Sequence, residues 1–348
     1  MTGRRNSQII RVGLMGFGRI GRNLFRLAAE TNDVEIAVVS DLGKPEILHY
    51  LLQRDSIHGS FEQEEEFNQN SIRLKDGRTT RLIKGIAPGD IPWDGYQVDI
   101  VVDATGKYTS LKHMQAHLNA GAKRVIISNL PEEDPDRIVI MGVNDDTISA
   151  EDRLISAGSS TTNVMAIMLK ALAESMTVNH AMMTSIHAFT SDQPLQDTAG
   201  ADFRRSRSAT DNIIPNSTVS PAWVEKIMPE FAGKLDGIAL NVPVPDGSCL
   251  DITAHVKTDN LSVDMVNAAM YKFARKFPEF VEVTDDPIVS SDVIGNRHSV
   301  VLDTKATMIG AGKMLKIIGW YDNGWGHAAR LLDIIKAYAR FNDVGGAA

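Results

Sequence analysis

Two groups of residues in this 348-residue chain have the types and spacing to do chemistry. The segment Ser159-Ser160-Thr161-Thr162-Asn163 stands directly ahead of a helical run, and His187 follows Ser160 by 27 positions. A nucleophile at a helix start, met by a histidine from a later strand, is how an acyl-transfer site is built. The second group is Gly16-x-Gly18-x-x-Gly21. It follows a predicted strand and opens a predicted helix, the context that gives this otherwise common motif its meaning. The glycines allow a tight turn and close backbone approach, and the helix N-terminus favours a pyrophosphate. Asp41 falls 20 residues past Gly21, at the end of the next predicted strand. A carboxylate there accepts hydrogen bonds from ribose hydroxyls and repels a 2′-phosphate, so NAD is expected over NADP. No metal is expected.

The elements that must hold these residues follow from periodicity. Ile9 to Leu14 reads as a short buried strand, and the helix after Gly21 puts Leu24, Leu27 and Ala28 on one face. Val34 to Val39 is a second strand, 44–54 a helix, and 60–85 polar hairpin material around the turn Asp76-Gly77. Strands are predicted at Asp99–Val102, Arg124–Ser128 and Ile138–Val143, with a helix near 110–120. This β-α-β alternation implies a doubly wound parallel sheet, that is, an N-terminal Rossmann domain of an α/β protein.

After Ser160 the texture changes. An apolar helix at 164–174 precedes long alternating segments at 180–188, 235–245, 248–257 and 297–303, with an amphipathic helix at 263–276. These predict an α+β domain with a mixed or antiparallel sheet, one face covered by helices. In Gly326–Phe341, Ala328, Leu331, Ile335 and Tyr338 share one helical face. The expected division is 1–158 for the dinucleotide domain, completed by a C-terminal helix over 324–348, and 159–323 for the catalytic domain.

Composition narrows the function classes. A net charge of −8, from 36 basic and 44 acidic residues, argues against a nucleic-acid surface. No stretch approaches the roughly 18 apolar residues of a membrane helix. Arg4-Arg5 lies in a polar tail with no apolar run behind it, so no signal peptide is expected. Cys249 is the single cysteine, which excludes an intrachain disulfide and suits the reducing cytoplasm.

Over nearly its whole length the chain resembles the glyceraldehyde-3-phosphate and erythrose-4-phosphate dehydrogenases. The stretches that carry the resemblance are VGLMGFGRIGRN (12–23), DSIHG (55–59), AKRVIIS (122–128), MGVN (141–144), SSTTN (159–163), HAFTSDQ (187–193), RRSRSATDNIIPNST (204–218) and WYDNGWGHAAR (320–330). The resemblance implies a Rossmann domain plus a catalytic domain, assembled as a homotetramer. It implies an NAD-dependent oxidation of a small aldehyde, with inorganic phosphate as the acyl acceptor. Phe17, Arg19 and Ile20 would then lie with the glycines along the pyrophosphate, Thr105 and Ser128 would line the cofactor groove, and Asn323 would hold the nicotinamide carboxamide. Ser159, Thr161, Thr190, Arg205, Thr218, Val219 and Asn241 would fall at substrate- and phosphate-binding positions.

The departures from the family pattern concern chemistry. Ser160 stands where the family has its nucleophilic cysteine, with His187 as base. A free thiol starts near pKa ~8.5 and is readily pulled down, whereas a serine hydroxyl is far more basic and needs a triad-like base. Serine also forms an oxygen ester, which resists phosphorolysis more than a thioester does. Asn241 replaces the family's substrate-phosphate arginine, removing a fixed bidentate cation. Val219 replaces the glycine of a Thr-Gly phosphate turn, and its β-branch is expected to crowd the approach. Met15 and Gly324 replace a usual asparagine and glutamate around the cofactor.

Three readings stand on these residues. One is an aldehyde dehydrogenase with a serine put in place of its cysteine. Another is a divergent, impaired paralogue kept for binding NAD, a metabolite or a protein. A serine-based acyl transferase or esterase is the third. Blander roles also stand: Ser160 as a helix cap, His187 as a hydrogen-bonded strand histidine, Arg204, Arg205 and Arg207 as subunit contacts, His58 as a structural residue and Cys249 as a small apolar side chain.

Overall fold

The computed structural model describes residues 9–85 and 87–341. Arg4, Arg5 and residues 342–348 of the expected C-terminal helix lie outside the described residues. The chain forms two compact units, one running up to Gly158 and rejoined from Ala328, the other Ser159–His327.

The first unit opens with β1 (Ile10–Met15), α1 (Arg19–Ala29), β2 (Val34–Asp41) and α2 (Pro45–Gln53). Short pieces follow: β3 (Arg54–Asp55), β4 (Gly59–Ser60), β5 (Glu64–Asn68), β6 (Ser71–Leu74) and β7 (Thr79–Lys84). The unit continues through β8 (Ile100–Asp103), α3 (Leu111–Asn119), β9 (Arg124–Ile127), β10 (Arg137–Ile138) and β11 (Leu154–Ser156). They form a nine-stranded sheet in the order β10-β11-β9-β8-β1-β2-β7-β6-β5, with β3 and β4 pairing separately.

Strand β1 pairs in parallel with β2 on one side and β8 on the other. The strand order therefore reverses about β1, and a crevice opens beyond the carboxyl ends of these strands, at Met15, Asp41 and Asp103. Antiparallel pairing is confined to the polar edge, β7-β6-β5. Strands buried on both faces need continuous apolar runs, and β1, β2, β8 and β9 supply them. The expected doubly wound sheet is present.

The expected strand Ile138–Val143 is corrected. Only Arg137–Ile138 pairs, with β11. Beyond it Asn144 caps the backbone from its side chain, accepting from Ile140 N and donating to Ile138 O, both at 2.8 Å. Gly142 turns there with φ +79°. Side-chain hydrogen bonds replace the ladder and end the strand.

The second unit contains α4 (Ser160–Ala173), β12 (Thr177–Ala188), β13 (Ile214–Asn216), α5 (Ser220–Ile227), β14 (Leu235–Val242) and β15 (Ser248–Lys257). Then come α6 (Val263–Lys276), β16 (Val281–Thr284), β17 (Val300–Gly310) and β18 (Met314–Tyr321). The sheet order is β13-β14-β12-β15-β18-β17-β16, parallel at β12-β14 and β16-β17 and antiparallel elsewhere. The mixed sheet is as expected. Helix α4 is buried almost all round, with Val164, Met165, Ile167, Met168 and Leu169 inaccessible. Each such side chain contributes roughly 1.5–3 kcal/mol relative to exposure.

The last helix, α7 (Trp325–Ala339), buries Ala328, Leu331, Ile335 and Tyr338. Its Tyr338 hydroxyl donates to Asp152 at 2.7 Å, and Lys336 pairs with Asp33 at 3.0 Å. From Ala328 on, this helix is therefore part of the first unit.

Candidate active site

In the first unit the three glycines have three different physical duties. Gly16 turns with φ +92°, and a Cβ there would stand 2.8 Å from Thr105 N. A Cβ on Gly21 would meet Gly16 O at 2.1 Å, so glycine is required for α1 to close on the turn. A Cβ on Gly18 would meet nothing within 4 Å. The missing side chain at Gly18 thus opens onto space at the N-terminus of α1, which has no side-chain cap. Among the described residues, Arg19 Nη1 is a buried nitrogen with no partner, and Ile20 is half-buried beside it. Open space, uncapped amides and a spare cation suit a pyrophosphate.

Asp41 is pinned at both oxygens. Its Oδ2 accepts from Phe17 N at 2.7 Å and its Oδ1 from Gly43 N at 2.8 Å. Each carboxylate oxygen has a second lone pair, so a fixed acceptor pair remains for sugar hydroxyls. Thr105 follows β8 at the crevice, and Ser128 follows β9 with its N–H on Asp103 O at 3.0 Å. The set fits a dinucleotide on the structure's own geometry.

In the second unit the N-cap of α4 is Ser159, not Ser160. The Ser159 side chain accepts from Thr162 N at 3.1 Å, and its backbone is extended, as a cap requires. Ser160 is the first residue of the helix proper, so its hydroxyl lies outside the cap. The next residue, Thr161, shares a 3.2 Å hydrogen bond with the buried Tyr321 hydroxyl, which also lies 3.2 Å from Ser185 Oγ. The His187 ring meets Tyr321 edge-on, with centroids 6.2 Å apart. Tyr321 thus joins the start of α4 to the strand that carries His187.

His187 Nδ1 bonds the carbonyl oxygen of Ala188 at 2.6 Å. A carbonyl only accepts, so Nδ1 carries a proton, and in the neutral ring the basic nitrogen is Nε2. Ser248 Oγ accepts from Ala188 N at 3.0 Å and donates to Asn323 Oδ1 at 2.9 Å. That orients the Asn323 amide with its nitrogen as the remaining donor.

Asn241 lies directly opposite His187 in the β12-β14 register. It is 6% exposed, and its Oδ1 has no partner among the described residues. Arg205 is spent on Asp192, which Thr190 Oγ1 also bonds, and Arg207 pairs with Asp197 at 2.8 Å. Thr218 Oγ1 accepts from Ser220 N at 3.2 Å. Val219 precedes α5 with φ −97° and is 60% exposed. The backbone at this position does not demand glycine. Cys249 is buried, and burial, then the nearby Asp251 carboxylate, pushes its thiol up to about 12.

Comparison with known proteins assigns the two units. Residues 10–111 match the NAD binding domain of glyceraldehyde 3-phosphate dehydrogenase, and residues 159–323 match its C-terminal domain. Similar relatives include glyceraldehyde-3-phosphate dehydrogenase 2 of Streptomyces avermitilis, 42% identical over 328 residues, covering 93% of this chain and 97% of the relative. The enzyme of Mycobacterium leprae is 39% identical over 338 residues, covering 94% and 97%. Glyceraldehyde-3-phosphate dehydrogenase 1 of Bacillus subtilis is 38% identical over 333 residues, covering 95% and 98%.

The chain belongs to the glyceraldehyde-3-phosphate dehydrogenase family.

As a family member it is built as an NAD-dependent dehydrogenase, with a Rossmann NAD-binding domain and a catalytic domain. Sequence reasoning missed Tyr321, which contacts the candidate residues Thr161 and His187, its neighbour Ser185, and Ser248, which bonds Asn323. Tyr321 sits inside the matched stretch WYDNGWGHAAR, two residues from Asn323, but its role depends on strand register. Among the described residues no helix is long and apolar enough to cross a membrane.

Proposed function

We propose that this family member is an NAD-dependent aldehyde oxidoreductase in which Ser160 throttles the covalent step and Asn241 alters the substrate-phosphate site. In this reading Ser160 occupies the place of the attacking group and His187 Nε2 takes its proton. Ser159 and Thr161 shape the turn around Ser160. Asn323 holds the carboxamide, and Gly16, Phe17, Gly18, Arg19, Ile20, Gly21, Asp41, Thr105 and Ser128 hold the rest of the cofactor. NAD, when bound, supplies the hydride acceptor. Thr190, Arg205, Thr218, Val219 and Asn241 border the place for the aldehyde's distal end and for inorganic phosphate.

One observation carries the reading: the His187 Nδ1 proton goes to the Ala188 carbonyl. A serine hydroxyl needs an imidazole whose growing positive charge a buried carboxylate stabilises; a thiol does not. With its Nδ1 proton on a backbone carbonyl, His187 matches the family's thiolate chemistry better than a triad built around Ser160. The same fact argues against a serine esterase. The buried thiol of Cys249, pushed up to about 12, is no substitute nucleophile at neutral pH. A binding role for NAD and a metabolite or protein is the second reading, favoured by Ser160 itself.

On the substrate side, Asn241 is uncharged and Arg205 is held by Asp192. That supports an aldehyde without a terminal phosphate. Assembly as a homotetramer in the cytoplasm belongs to the same reading. Met182, Ile238 and Met308, exposed on the uncovered face of the second sheet, support a subunit contact there.

The test is Ser160→Cys on a panel of phosphorylated and unphosphorylated aldehydes. The variant should gain phosphate-dependent NADH production that the unaltered chain lacks. A variant that binds NAD yet stays silent on the whole panel would hand the case to the binding-protein reading.

A further inference from the structure

Behind the dinucleotide crevice lies a buried polar chain made of Trp93, His117 and Asp103. Trp93 Nε1 donates to His117 Nδ1 at 3.1 Å. An indole only donates, so Nδ1 must be the bare nitrogen of His117 and Nε2 must carry its proton. His117 Nε2 then donates to Asp103 Oδ2 at 3.3 Å. The other oxygen, Asp103 Oδ1, accepts twice from one residue: Thr105 N at 2.9 Å and Thr105 Oγ1 at 2.6 Å. Trp93, His117 and Asp103 are all buried, and Thr105, half-exposed, is where the chain reaches the crevice.

Two features mark this as more than core filling. Asp103 receives three donors and has none to offer, a task that a carboxylate performs and an amide does not. The residue it holds stands against the glycine turn, since a Cβ on Gly16 would come within 2.8 Å of Thr105 N. The indole packs directly on Gly13 of β1, where an added Cβ would meet it at 2.7 Å.

We propose that Trp93, His117 and Asp103 are positioning residues that fix Thr105 as a hydrogen-bond acceptor toward NAD. The proposal rests on the reading that Thr105 lines the cofactor groove. Its hydroxyl proton is committed to Asp103, and one lone pair takes Lys107 N at 3.2 Å. What remains is a single acceptor, matched to a sugar hydroxyl of the cofactor and mismatched to a phosphate oxygen.

The test is a double-mutant cycle on the full chain, reading NAD affinity by calorimetry and folding by thermal melting. Thr105→Val removes the hydroxyl at the surface with little risk to the fold. It should weaken NAD about five- to tenfold, the worth of one hydrogen bond, while Thr105→Ser keeps the affinity. His117→Leu should weaken NAD by a similar factor, and His117→Gln, which still donates to Asp103, should recover most of it. If His117 acts through Thr105, the double variant Thr105→Val with His117→Leu binds no worse than the weaker single variant. Additive losses, or a His117→Leu that melts earlier but binds NAD unchanged, would overturn the proposal and leave Thr105 as a cofactor contact. Unchanged affinity in Thr105→Val would overturn both.

Discussion

The Tyr321 hydroxyl lies 3.2 Å from Thr161 Oγ1, tying the end of β18 to the first turn of α4 beside Ser160. Burial pushes this tyrosine up to about 12, against the downward pull of its bonds with Ser185 and Thr161. Its neutral form is thus favoured by folding, and the same holds for the buried Cys249 thiol. A group whose folded value is raised stabilises fully below its unfolded value and loses that contribution as pH climbs. The stability of the chain should therefore fall between about pH 9 and 12, from the ordinary thiol and phenol values of 9.0 and 10.0 upward. Tyr321→Phe should flatten the upper part of that limb. At neutral pH the same variant should cost ~1–3 kcal/mol, because Thr161 and Ser185 lose a buried partner. Denaturant melts from pH 7 to 12 on both proteins check this, and parallel curves would refute the assignment. Iodoacetamide should label Cys249 only after unfolding.

At Asn241 the prediction concerns selectivity. Replacing it with arginine in the Ser160→Cys background puts a cation across from His187 in the sheet register. Phosphate binding by a fixed guanidinium is charge-assisted and bidentate, so kcat/KM for a phosphorylated aldehyde should rise at least tenfold relative to its unphosphorylated counterpart. The ratio of the two specificity constants is the measurement. An unchanged ratio would mean that Asn241 does not face the distal end of the substrate.

What was legible in the sequence was what is local in the sequence. Gly16, Gly18 and Gly21 lie within one turn, and Asp41 ends the next strand. Periodicity located β15 and α6 to the residue, because their alternating and amphipathic patterns run unbroken. The strand expected at Ile138–Val143 failed because Asn144 and Gly142 impose a turn that apolar patterning does not reveal. Ser159 displaced Ser160 as the cap because two adjacent serines are equivalent by residue preference and only the backbone angles choose between them. The Thr161–Tyr321 contact joins residues 160 apart and exists only through strand register. Met314–Tyr321, the strand that delivers Tyr321, has no counterpart among the sequence expectations, although every second residue in it is buried.

Asp55, in the stretch DSIHG, gives the acid-side counterpart. Burial alone would raise its carboxyl, but hydrogen bonds from the His58 side chain, the His58 and Ile57 backbone and Arg22 outweigh that and hold it far below the usual range. A depressed carboxylate stabilises above its unfolded value, ~3.9, and loses that contribution as pH falls further. Asp55→Asn should lower stability at pH 7, and the gap between the two melting curves should narrow steadily as pH falls from about 4 to 2 without closing, because the folded carboxylate stays ionised there. Curves that stay equally far apart down to pH 2 would show that Asp55 acts by shape and not by charge.

The glycine turn offers the sharpest separation of fold from function. Gly18 and Gly21 are three residues apart, yet a methyl group at Gly18 meets open space and one at Gly21 meets a backbone oxygen at 2.1 Å. Gly21→Ala should damage the fold itself, since α1 must shift to relieve a contact with backbone, and overpacking of this kind costs typically 1–3 kcal/mol. Gly18→Ala keeps a negative φ of −72° and should melt within a degree or two of the unaltered protein. Its methyl group fills the space in which a pyrophosphate would approach the amides of α1, so NAD affinity should fall at least tenfold. Calorimetry and melting on the two variants distinguish the roles. If Gly18→Ala binds NAD normally, the pyrophosphate does not cross the turn at Gly18.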